Sequence, residues 1–161
     1  MKASPLKLPP SLYSADQLLI AGEELHHYGV GLAQVRRHDP KDAVSLNGLS
    51  TLAVEALELL PAEQRQQDEA VETLRQQLER LAISAPQITL VLVARAPNKL
   101  KEELVAWLRE NIHPGLLVNF HANPDIAGGV LIRSTNHIYD CSFRQALLAD
   151  SARFTKVLEH V

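Results

Sequence analysis

Histidines, one cysteine and a pair of adjacent glycines are the residues of this chain best suited to chemistry. His26, His27 and His38, with Glu23 and Asp39 in the same region, are metal-ligand types. Neighbouring residues on a helix project about 100° apart, so one ion cannot easily take both His26 and His27. The His-Glu-x-x-His spacing that sets two imidazoles on one helix face is absent, and the three read as surface or interface histidines. Cys141 is the single cysteine, which excludes an internal disulfide and a multi-cysteine metal site. It stands just before an expected helix N-terminus, where a thiol pKa can fall, but spacing fixes no histidine base beside it. The reading is a small, partly buried, inert residue, with redox sensitivity left open. Gly128-Gly129 could cradle a phosphate. Such loops join a strand to a helix, whereas these glycines precede a strand, without Gly-x-Gly-x-x-Gly or a following Lys-Ser/Thr. They read instead as a bend where a Cβ would clash with a close neighbour, letting the sheet approach a helix. Asp140 and Arg144, four apart, are expected to pair across a helix start, and Trp107 has the size of an anchor in a core or an interface. No Ser-His-Asp order, paired-carboxylate motif or perturbed lysine stands out, so no catalytic residue, metal or cofactor is expected.

The elements that hold these residues follow from periodicity. The chain has 161 residues, is 46% hydrophobic and only 4% aromatic, so it can bury a core, and that core is aliphatic. No apolar run reaches the length of a membrane span, and the first residues lack the apolar segment of a signal peptide, which predicts a soluble, cytoplasmic chain. Residues 1–84 carry eight basic and twelve acidic residues, and 85–161 carry eight and seven. Neither part has the basic face and stacking aromatics of a nucleic-acid binder.

Pro5, Pro9 and Pro10 predict an extended arm over 1–14, mobile or docked. One or two helices are expected from Ala15 to Val35, then a loop over Arg36-Arg37-His38-Asp39-Pro40, then a helix from Ala43 to Leu60. Ala62 to Leu81 reads as a packed helix with a solvated start, ahead of a coiled-coil arm, with Val71, Leu74, Leu78 and Leu81 alternating three and four apart. After Pro86 the period changes. Ile88 to Val93 is a strand for the inside of a sheet, and Pro97 or Asn98 opens a helix to Asn111 with Leu100, Leu104, Trp107 and Leu108 inward. Leu116 to Phe120 is a second strand, parallel to the first. Val130–Arg133 and His137–Tyr139 form a hairpin turning at Thr135 and Asn136. A last amphipathic helix carries Phe143, Leu147, Phe154 and Leu158 on one stripe, capped by Ser142. The fold class is therefore α+β. A helical part of three to four helices (15–84) precedes a small α/β domain (85–161) in the order β-α-β-β-α with a mixed sheet.

The order of parts from Gln87 to Leu147 resembles the C-terminal signature of the delta subunit of F-type ATP synthases, the oligomycin-sensitivity-conferring protein of mitochondria. Pro124, Gly128, Gly129, Asp140, Ser142 and Arg144 carry the resemblance. In that family an acidic-Pro segment runs through Gly-Gly into a strand, a tight turn, a second strand and Asp-Gly-Ser-apolar-Arg. Here Cys141 replaces the motif glycine and Ala146 stands where a second arginine is common. The helical part has no residue-level match, and is shorter than the family's six-helix bundle.

The resemblance implies a non-catalytic stator subunit tying the catalytic head to the peripheral stalk during proton-driven ATP synthesis. Its partners would be the alpha-subunit N-termini and the b-type stalk helices, with membrane association only through the complex. The candidate partner interface is Trp107, Phe143, Leu147 and Phe154. Two other readings are the E-type peripheral-stalk component of V- or A-type ATPases, and an unrelated small α/β regulatory or enzyme domain.

Overall fold

The computed structural model describes residues 6–38 and 46–150, which fall into two compact units. One comprises residues 6–38, 46–86 and 102–117, and the other 87–101 and 118–150. The expected boundary at 84/85 differs from this division, because the body of the fourth helix belongs with the first three.

In the helical unit, α1 (Ala15–His38) starts at a capping box. Gln17 N–H donates to Ser14 Oγ at 3.3 Å, while Gln17 Oε1 accepts from the N–H groups of Tyr13 and Ser14 at 2.9 and 3.1 Å. The helix runs on through Arg36, Arg37 and His38, where a loop was expected. Proline disfavours helical geometry only at its own position and the one before it, so Pro40 permits a helix to 38. Asp39 and Pro40 lie outside the described residues.

Helix α2 is Thr51–Leu57, shorter than the 43–60 expected. Leu46–Leu49 form a turn, and Ser50 caps the helix by accepting from Ala53 N–H at 3.3 Å. Backbone N–H groups of Glu58, Leu59 and Leu60 take its last carbonyls, and Arg65 holds the chain just past it by donating to Leu60 O at 3.0 Å and to Glu58 O at 3.3 Å. The helix expected over 62–81 is divided into a 3₁₀ turn (Ala62–Gln64) and α3 (Asp68–Ser84), whose first turn holds Asp68 and Glu69.

Val71, Leu74, Leu78 and Ala82 of α3 share one aliphatic core with Leu18, Ala21, Leu25, Tyr28 and Leu32 of α1. Leu8 and Leu12 join that core, with Leu12 fully buried, so the described part of the proline-rich arm, 6–14, is docked.

Helix α4 (Asn98–Asn111) buries Val105, Leu108 and Arg109. The expected inward face is thus turned by about one residue, and Leu100 and Trp107 are exposed at 43% and 58%. The cause is Arg109. It donates from Nε to Leu116 O (3.0 Å), from Nη1 to Leu8 O (3.1 Å) and Pro9 O (2.8 Å), and from Nη2 to Leu12 O (2.7 Å). Four carbonyls from the arm and from the turn after α4 fix which face of the helix is covered.

The sheet has the order β2-β1-β3-β4, built from β1 (Gln87–Leu92), β2 (Leu117–Ala122), β3 (Gly129–Arg133) and β4 (Ile138–Ser142). Leu117 N–H donates to Pro86 O and Asn123 N–H to Leu92 O, the same sequence offset at both ends, so β1 and β2 run parallel. Strand β3 is antiparallel to β1, with Leu90 opposite Ile132, and to β4, with Leu131 opposite Asp140. The sheet is therefore mixed and the class α+β, as the periodicity predicts. A short helix α5 (Arg144–Ala149) follows, preceded by Phe143 rather than by the expected Ser142 cap, because Ser142 is still paired in β4. Phe154 and Leu158 lie outside the described residues.

Candidate docking surface

The Gly-Gly segment closes the outer hairpin. Gly128 and Gly129 both have left-handed backbone, with φ of 94° and 82°. A Cβ on Gly129 would stand 2.5 Å from Cys141 O and 2.9 Å from Ser142 Cα, and one on Gly128 would stand 2.8 Å from the Phe143 ring. Backbone proximity thus explains Gly129, while Gly128 lies against the Phe143 side chain and both positions need positive φ. The close neighbour is the end of β4 and Phe143, however, and not a packed helix. Phe143 N–H donates to Gly128 O at 3.1 Å, so the bend is tied to the chain entering α5.

Other motif residues gather at the same hairpin end. Asp140 Oδ1 accepts from Ser142 N–H at 2.9 Å. Bonding to the Ser142 side chain and backbone, with a smaller pull from Arg144, holds the Asp140 carboxyl below the usual carboxylate range. Ser142 pairs with Gly129 across the ladder. Pro124 stands exposed in the preceding turn, where Asn123 Oδ1 accepts from Asp125 N–H at 3.0 Å.

Around this end the surface is apolar and uncovered. Phe143 is 59% exposed, Leu147 44% and Leu148 64%. On β4, an edge strand, Ile138 and Tyr139 are exposed as well, the Tyr139 ring stacked on His137 at 6.0 Å. Sequence reasoning named Phe143 and Leu147 but not Ile138, Tyr139 or Leu148. No local signal marks them, because β4 is outermost only through the order of the strands in the sheet. Cys141 is exposed, not partly buried, for the same reason. Trp107 stands in the helical unit, whereas Phe143 and Leu147 belong to the sheet unit.

The histidines are placed as surface residues. His26 and His27 have ring centroids 5.9 Å apart, tilted by 59°, and His26 Nδ1 lies 3.8 Å from Glu72 Oε2. The His38 side chain lies outside the described set. Arg109, which no periodicity singles out, is the one buried guanidinium among the described residues. Burial lowers its pKa to about 10, which leaves it charged at neutral pH.

No family model matches the chain, and no curated protein is significantly similar to it. No helix of the described residues is long and apolar enough to cross a membrane.

Proposed function

We propose that the chain is a non-catalytic, delta-type stator subunit of an F-type ATP synthase. In this reading it sits on the cytoplasmic side of the coupling membrane, peripheral and held only through the complex. It links the alpha-subunit N-termini of the catalytic head to the b-type stalk helices.

The observation that carries the reading is the hairpin end, where Gly128, Gly129, Asp140 and Ser142 lock the entry to α5 beside exposed Phe143, Leu147 and Leu148. A rigid bend presenting an apolar helix face suits a joint that must hold torque without slipping, because such joints rest on well-packed apolar contact rather than on chemistry. The short helical unit, which has no residue-level match to the family, is assigned to the head only by its place in the family's order of parts.

A specific observation weighs against the E-type alternative. Helix α1 shares a closed core with α3, whereas an E-type arm calls for a long helix without an intramolecular partner. The test is co-expression of the tagged full chain with its own organism's alpha and b subunits. Recovery of either subunit in stoichiometric amounts supports the stator reading, and recovery of neither overturns it.

A further inference from the structure

We propose that the cavity at the carboxyl ends of β1 and β2 binds a phosphoryl group, either free or borne by a small molecule. This site lies entirely within the sheet unit and is independent of the stator reading.

The cavity holds about 430 Å³, within the range of small-ligand sites, and its walls include Leu92, Arg95, Lys101, Phe120 and His121. Three of these five side chains are cationic or can become so, and no carboxylate lines the cavity. The cavity lies at the carboxyl ends of β1 and β2, the one parallel pair among the described strands.

Helix α4 begins beside the cavity at Asn98, so its positive end adds to the same field. Its first turn holds Lys99 and Lys101 and no acidic residue. Lys101 Nζ lies 5.9 Å from the centroid of the Phe120 ring, which holds the ammonium at the cavity wall. Arg95 is exposed and presents a planar fork that matches two phosphoryl oxygens.

A doubly charged phosphoryl group suits this set better than a single carboxylate, which one arginine satisfies alone. Phe120 adds a flat apolar face, which decides whether a carrier attached to the phosphoryl group is held as well.

The full chain would be titrated separately with pyrophosphate, ADP and adenosine at low salt, followed by calorimetry and by backbone amide shifts. We expect pyrophosphate and ADP to bind at about 1 mM or tighter and to shift the amides of residues 95–101. Arg95→Gln and Lys101→Gln should each weaken both by about tenfold, and Lys101→Arg should restore most of the affinity. Arg80→Gln, which removes an exposed cation on α3, should change neither.

Equal affinity for the two anions, unaffected by Phe120→Leu, identifies a free phosphoryl ligand. Tighter ADP binding that Phe120→Leu weakens identifies a stacked carrier. The proposal is overturned if neither anion shifts those amides by about 5 mM, if adenosine binds as well as ADP, or if Arg80→Gln weakens binding as much as Arg95→Gln.

Discussion

Gly129 is the residue on which the hairpin end depends most. Its φ of 82° is strained for any other residue, and the atom an added Cβ would meet is a backbone oxygen that cannot rotate away. Gly129→Ala should therefore cost about 2 kcal/mol or more, read as faster amide exchange in β3 and β4. Gly48→Ala, with nothing within 4 Å of its added Cβ, should stay within about 0.5 kcal/mol.

Arg109 is the corresponding residue in the helical unit. Arg109→Met would take the guanidinium from the carbonyls of Leu8, Leu12 and Leu116, Pro9 O keeping the Leu12 N–H, at a cost of about 3 kcal/mol. Urea unfolding followed by Trp107 fluorescence measures it, and Arg109→Lys should recover only part, since an ammonium cannot reproduce the guanidinium fork. The depressed pKa means that the unfolded chain holds this proton more tightly than the folded one. Its contribution is therefore flat at physiological pH and favours folding only as pH rises above about 10.

At the scale of elements, α1 and α2 begin where side chains cap them. Ser50→Ala removes the α2 cap and should cost about 1 kcal/mol of stability in the helical unit. On α3, Arg75 grips Glu72 with two bonds of 2.9 and 2.7 Å and reaches Glu79 at 2.6 Å. The bonds from Arg75 lower the Glu72 pKa from the ordinary 4.5 to about 2. A depressed carboxylate stabilises the fold fully above 4.5, and that contribution is lost as pH falls toward 2. Glu72 is 41% exposed and screened by water, so the loss should be under about 1 kcal/mol, and Glu72→Gln should abolish that part of the acid dependence.

The same scale shows what periodicity can and cannot reveal. The element order, the βαβ unit, the mixed sheet and the hairpin turn were legible, because period and turn chemistry are local. The start of α2, set by the single Ser50 cap, was misplaced, and so were the break before α3 and the end of α1. The covered face of α4 was also misread, since it is set by Arg109 reaching carbonyls about a hundred positions away in sequence. A helical wheel that counts only apolar residues assigns a cation to the outside. At the hairpin end, the need for two glycines was legible from the pair itself. That β4 is the outer strand, leaving Cys141, Ile138 and Tyr139 exposed, depends on strand order, which local pattern does not carry.

At the scale of the whole molecule, the proposed stator role needs the hairpin end to offer its exposed Phe143, Leu147 and Leu148 to a stalk helix. The most direct measurement is calorimetric titration of the full chain with the soluble C-terminal segment of its own organism's stalk b subunit. The account predicts saturable binding at about 10 μM or tighter, accompanied by a negative heat-capacity change from apolar burial. It also predicts that Phe143→Ser with Leu147→Ser weakens binding by about tenfold or more, since both side chains are exposed and their loss leaves no buried hole. No saturable heat up to tens of micromolar, or full binding by the double variant, would contradict it.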